Sequence, residues 1–477
     1  MSVQAITAQE KRALKTEPMQ LILLTAFLFA SLYAVLQGSF YRQAQIDTVS
    51  SFTAAEEESI NDWRDRLIAV ENGTTAAEDD RWAGLAMDVA FPATISPGPL
   101  SDLSHGVSDV KPATSRVSLW RSVDRLFGNY QFQSPIDTAA GAFDLAFVII
   151  FIMPLLMIAL SYDALSEDRE LGRLGLLLSQ PISLRQLVTA RLKIRFGAVA
   201  AIVLVASLIG LIAGSGGQDM GVRLSFMGIW LLVAAAYFLL WAAVITWAIS
   251  LNLKGETTAL LLAGLWIING LVGPASLSAA AESLYPTPSR LAFLSEAREA
   301  SAAAYKSQAD IMQGMLLDHP DLTAENYSIP EYIRTAFLVN KTVDDSVVPI
   351  LTRFDEVQAE RRSFLSKLQF AAPSVLTLQA FNLAAGTNLE RHIAFEKSVR
   401  DFKQSIAEAV EGKVIAGERL SVAEYDALPR YYHQGPTVGA VLGNVALPVL
   451  FLIALATLLG TIARANLGKL QNRIRET

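Results

Sequence analysis

Residues 162–195, YDALSEDRELGRLGLLLSQPISLRQLVTARLKIR, form a charged amphipathic stretch between two long apolar runs. Leu171, Leu174, Leu177 and Leu178 recur at helical spacing, while Glu167, Asp168, Arg169, Glu170 and Arg173 occupy the start and the other faces. Pro181 ends that helix, and a second short one from Ser183 leads into the next apolar run. The chemistry of such a hairpin is docking. Leucines can fill a groove, acids at the helix start complement its macrodipole and can pair with basic groups, and Gly172 and Pro181 set the angles. The competing reading is an interfacial helix lying on lipid headgroups with its leucines in the bilayer.

Bond-making chemistry is poorly provided for. The chain has no cysteine, which removes thiolate metal sites and Cys nucleophiles, and it has 4 histidines, His105, His319, His392 and His433. They are scattered, with no HExxH and no helical His pair, so they read as surface or packing residues. No GxSxG elbow occurs. The turn Gly214-Ser215-Gly216-Gly217 lacks the Lys and Ser/Thr of a phosphate loop. No catalytic, cofactor-binding or metal site is expected on this chain, and nothing in it names a substrate.

The elements that must position the hairpin are membrane spans. Hydrophobic residues make up 52% of the chain and charged ones 18%, with a mean hydropathy of +0.36. Crossing a hydrocarbon core takes ~20 residues of helix. Six runs approach or exceed that length, near residues 19–37, 141–160, 196–213, 224–251, 257–273 and 438–462. The first has no small-residue cleavage site and too long an apolar core for a signal peptide, so it is expected to remain as a span.

Orientation follows from Lys and Arg. With both termini inside, residues 1–18, 162–195, 251–256 and 464–477 carry 14 basic and 8 acidic residues. The outer segments 41–140 and 275–436 carry 24 basic and 36 acidic. The overall charge of −7 therefore belongs to the outer segments and argues against nucleic acid as a partner. Asp144 and Arg223 fall at outer helix ends and are expected to snorkel toward water.

The loop resembles the first cytoplasmic loop of ABC-2 type permeases through Glu167, Glu170, Gly172, Leu174, Leu176, Leu177, Leu178, Ser179, Pro181 and Arg191. Arg173 departs from the Thr or Ser common after that glycine. Lys11, Arg12 and Lys15 before a span ending Tyr33-Ala34-Val35-Leu36-Gln37-Gly38 are similar to the opening helix of a branch with a large extracytoplasmic domain of unassigned function. Ala372-Pro373-Ser374-Val375-Leu376, then Gly386-Thr387, Arg391-His392 and Phe395, resemble a pattern late in that branch's outer domain. The resemblance implies a separate ABC ATPase subunit holding ATP and Mg, a second copy of the permease, and a bacterial cytoplasmic (inner) membrane location. It makes Glu167, Glu170, Leu171, Gly172, Leu174, Leu177, Leu178, Pro181 and Arg191 the ATPase-coupling residues.

Outside the membrane, residues 41–140 begin helically, with Ile60, Trp63, Leu67 and Val70 on one face, then become Pro/Gly/Ser-rich. In the later outer segment one amphipathic helix is expected through Leu351, Phe354, Phe364, Leu365 and Leu368, and another through Phe395, Val399, Phe402, Ile406 and Val410. Residues 370–385, nearly uncharged and too short to span comfortably, read as a buried helix of the outer domain or as a membrane-hugging or partner-binding helix. Asn269 reads as interhelical glue.

The expected architecture is an all-α polytopic membrane protein with six transmembrane helices and a mainly helical extracytoplasmic domain. It divides into 1–40 (tail and first span), 41–140 (first outer segment), 141–273 (spans two to five), 274–436 (second outer segment) and 437–477 (last span and basic tail). The expected function is ATP-driven export or extraction of a substrate. One alternative is mechanotransmission, in which the outer domain is moved to act on a periplasmic protein. Another is an ion-coupled secondary transporter, which predicts paired ionisable groups near mid-membrane.

Overall fold

The computed structural model describes residues 3–74, 82–127, 143–214, 216, 219–286, 290–318 and 329–476. Helix α1 (Val3–Thr16) leads into α2 (Pro18–Glu71), whose Pro18 occupies the first turn, where a missing N–H leaves no bond unmade. α2 runs for 54 residues, about 80 Å of helix. Within it the sequence offers no breaker except Gly38, which faces the Asp102 carbonyl at a distance where any Cβ would collide.

A two-stranded antiparallel sheet follows, β1 (Ala90–Thr94) and β2 (Thr114–Ser118), with Ala90 opposite Ser118. Phe91, Ala93, Ser115 and Val117 alternate inward. Next come α3 (Leu145–Ala159), α4 (Ser166–Glu170), α5 (Leu174–Leu178), α6 (Leu184–Ala213), α7 (Met220–Ser250) and α8 (Gly255–Leu284). Both α3 and α8 contain a π-helical turn, Val148–Ile152 and Ile268–Val272, just before Pro154 and Pro274. A proline cannot donate to the preceding turn, and the wider turn accommodates that loss. The remainder is α9 (Arg290–Lys306), α10 (Gln308–Asp318), α11 (Glu331–Leu368), α12 (Pro373–Ala385), α13 (Leu389–Ala416), α14 (Val422–Asp426) and α15 (Val438–Glu476).

Among the described residues 5 helices are long and apolar enough to cross a membrane: α2, α6, α7, α8 and α15. The expected second span is the shorter α3; residues 141 and 142 lie outside the described ones. The apolar helices bury one side and bare the other. On α8, Leu260 is 74% exposed and Ile268 57%, a surface that suits hydrocarbon rather than water. The chain is a predominantly helical membrane-type protein.

Two cores result. One gathers α1 to α3 and α5 to α8 with α12 and α15. The other draws Leu67, Phe91 and Val117 together with Phe337, Phe395, Val399, Phe402, Ile406, Val410 and Tyr425. Both non-span segments of the sequence thus meet in one apolar core. α12, covering most of residues 370–385, is buried, but against the apolar helices: Phe381 stacks on Trp230 with ring centroids 4.2 Å apart. Asn269 does act as glue, donating to the Tyr237 hydroxyl at 3.2 Å and accepting from the Ser374 N–H at 3.1 Å.

The snorkelling expectation is corrected. Arg223 and Asp102 are both 0% exposed and paired, Nη2 to Oδ1 at 3.2 Å. Asp144 is buried too, capping α3 through the Phe147 N–H and accepting the His105 N–H at 2.9 Å. The cause is the segment around Asp102, which plugs into the helix ends and covers these charges. Arg42 of α2 holds the same segment, donating to Ser101 Oγ and to the Gly214 carbonyl, each at 2.9 Å.

Candidate functional site

α6 has near its start the i, i+4 pair Arg191 and Arg195, which therefore share a face. Its first turn is closed by a capping box between Ser183 and Gln186. Arg191 reaches Asp168 Oδ2 at 2.6 Å, the Ala164 carbonyl at 2.6 Å and Glu10 Oε1 at 3.3 Å. Arg195 reaches Glu10 Oε2 at 3.0 Å and the Leu160 carbonyl at 2.5 Å. Glu10 of α1 is buried between these two guanidinium groups. Asp163 lies 3.5 Å from Arg195; burial pushes its carboxyl above the usual range, against the pull of that arginine.

Arg169 locks the α7–α8 turn, donating to the Asn252 carbonyl at 2.6 Å, its side-chain oxygen at 2.7 Å and the Leu253 carbonyl at 3.0 Å. Leu184 N–H donates to Gln471 of α15 at 3.0 Å. One end of the helix bundle is thus tied to α4 by charge-assisted bonds. From Arg191 to Gly214, which meets Arg42 at the opposite end, α6 rises about 35 Å.

On this base stands a hairpin in which the helix expected before Pro181 is divided. Gly172 adopts φ +69°, the left-handed region that ends helices, and splits the segment into α4 and α5. The leucine stripe splits with it. Leu174 and Leu178 turn inward, 5% and 8% exposed, into the protein's own core, and Leu177 is half-buried. Leu171 and Leu176 face out, 60% and 73% exposed.

Glu167 and Glu170 are exposed; Glu167 pairs with Arg173 at 3.0 Å, and Glu170 sits 3.5 Å from the Gly255 N–H. Pro181 is exposed between α5 and α6, and Arg191 lies inside the ionic base. The structure therefore brings Leu174, Leu178 and Arg191 into the support, and leaves Glu167, Glu170, Leu171 and Pro181 on its outer surface. Sequence reasoning passed over Glu10 and Arg195, and placed Asp168 and Arg169 only as charges on the helix's polar faces. The spacing of Arg191 and Arg195 was a usable signal; the partnership of Glu10, far away in the chain, was not.

The hairpin thus presents exposed Leu171, Leu176, Glu167 and Glu170 over a base of buried ion pairs. Of the histidines, His105 and His392 are buried, burial lowering them to about 4 and about 3, so both are neutral at pH 7; His319 lies outside the described residues.

A domain of unknown function, DUF3526, matches residues 290–434, from α9 to just before α15. The match covers under a third of the chain and contains the larger share of the second core and α12. No curated protein matches the chain.

Proposed function

We propose that the chain is the membrane-spanning permease subunit of an ABC-2 type transporter, working as two copies with a separate ATPase that holds ATP and Mg. The observation that carries this reading is the α4–α5 hairpin: a short apolar ridge, Leu171 and Leu176, exposed on a base of buried ion pairs that continues into α6. A push on such a ridge passes to the spans rather than bending a loop, because the base is packed and held by buried ion pairs. An interfacial helix would turn its leucines to lipid together; here half of them are core. The topology in this reading puts residues 162–195 and both termini in the cytoplasm, and the second core outside.

The test is co-purification and ATPase activity of the subunits expressed together. Leu171→Asp with Leu176→Asp is expected to abolish ATPase retention while leaving the permease folded, since the two side chains contribute roughly 1.5–3 kcal/mol each when buried. Full retention by the double variant defeats the proposal.

The continuity of α2 favours mechanotransmission as the second reading. That single helix passes from the bundle into the second core, where Trp63 stacks on Tyr425 at 4.3 Å and Arg64 pairs with Asp426 at 2.8 Å. Tilting α2 in the bundle would move the second core with it. ATP-dependent movement of cargo into proteoliposomes distinguishes export from this alternative.

A further inference from the structure

A cleft of about 500 Å³ opens beside the first turns of α7 and the segment leading into α15, well away from the hairpin. Val222 and Phe226 form its apolar wall, and Arg391, Tyr431 and His433 its polar one, with the exposed carboxylate Glu57 also lining it. The Arg391 guanidinium donates to two neutral carbonyls, Gly386 at 2.9 Å and Ser96 at 2.6 Å, and pairs with no carboxylate among the described residues. Burial, with the Arg42 cation nearby, pulls its pKa down to about 10, as for a positive charge short of compensation. His433 adds a second unmet group. Burial and Arg391 hold its imidazole below the ordinary range, and Nδ1 lies 3.4 Å from the Tyr431 hydroxyl. Buried Nε2 has no partner.

The surroundings say which kind of anion fits. Near their first turns both flanking helices bare apolar side chains: Val222 is 43% exposed, Leu224 59% and Leu442 45%. Tyr432, 81% exposed, sits where aromatic residues mark a membrane–water boundary. We infer that this cleft binds the anionic headgroup of a membrane amphiphile, its phosphate or carboxylate on Arg391 and its acyl chain running past Val222 and Leu224. The inference needs the apolar helices to lie in a bilayer and does not depend on the ATPase.

Native mass spectrometry of the full-length protein in detergent tests it, with dioleoyl phosphatidylglycerol and dioleoyl phosphatidylcholine as probes. The wild type is expected to retain the anionic lipid about tenfold better, the worth of one or two charge-assisted bonds. Arg391→Gln removes the charge, and should bring the two lipids near parity. Arg298→Gln, an exposed arginine on α9, should change nothing. Glu57→Gln removes a repelling charge from an exposed position and should raise the preference about twofold. It decides the matter even if Arg391→Gln does not fold. Equal retention of both lipids by the wild type, an unchanged Arg391→Gln, or no rise in Glu57→Gln overturns the inference. Displacement of phosphatidylglycerol by an equal concentration of glycerol phosphate overturns it as well, and assigns the cleft to soluble anions.

Discussion

The buried Arg223–Asp102 pair makes a prediction whose size follows from its geometry. Arg223 Nη2 lies 3.2 and 3.3 Å from the two Asp102 oxygens and 3.2 Å from the Gly210 and Leu211 carbonyls, while Nη1 donates to the Pro99 carbonyl at 2.6 Å. Arg223→Met leaves a buried carboxylate with Arg42 as its other cation, so the cost should lie at the low end for a broken buried pair, about 3 kcal/mol. Asp102→Asn leaves Arg223 its three carbonyls and should cost about 2 kcal/mol. The double variant should cost less than the sum, by about 2 kcal/mol, because neither charge is then stranded. Hydrogen exchange of residues 98–106, measured in nanodiscs, reads these values as local opening. At a tenfold change per 1.4 kcal/mol, exchange should accelerate about 100-fold in Arg223→Met, about 30-fold in Asp102→Asn, and about 100-fold or less in the double variant. Acceleration in the double variant equal to the product of the singles, or no acceleration in either single, would refute the reasoning.

Other variants test the support and the second core. Leu174→Ala and Leu178→Ala, at 5% and 8% exposure, should each cost about 2–5 kcal/mol, read as loss of monodisperse protein after heating, while exposed Leu171→Ala stays within about 0.5 kcal/mol. Gly172→Ala meets open space, so only its φ of +69° is penalised, by about 1 kcal/mol; Gly38→Ala strikes the Asp102 carbonyl and should prevent folded protein from accumulating. Lys413, and then the capping bonds from Ser421, hold the Glu424 carboxyl down to about 2, so its contribution is present above the ordinary 4.5 and is lost as pH falls toward 2. Glu424→Gln should therefore destabilise the second core by about 1 kcal/mol at pH 7, after discounting for exposure, and by nothing near pH 2, measured by thermal unfolding at each pH.

Apolar run length made the membrane-type helices legible and periodicity part of the second core, but the expected face through Leu351, Phe354, Phe364, Leu365 and Leu368 is only partly buried, and α11 buries Ile333, Phe337, Val343 and Val347 instead. The expected faces through Phe395, Val399, Phe402, Ile406 and Val410, and through Leu67, are the ones that pack. What escaped was set by contacts distant in the chain. Nothing local to Arg223 marks Asp102 as its partner, and nothing local to residues 370–385 says that the apolar helices will bury α12. At the hairpin, the helical spacing of the leucines was real, but the left-handed turn at Gly172 redirected it, sending Leu174 and Leu178 inward and Leu171 and Leu176 outward. A glycine flanked by helix formers is compatible with either outcome.

The most direct test of docking at this hairpin uses the absence of cysteine from the chain. Leu176→Cys, carrying a thiol-linked photo-crosslinker, can be activated in cells that express the native complex. The account predicts capture of one ATP-binding polypeptide at the expected mass of an ABC ATPase subunit, and no labelling of Cys at this position by an impermeant thiol reagent added outside intact cells. Labelling from outside, or crosslinks to lipid alone, would contradict it.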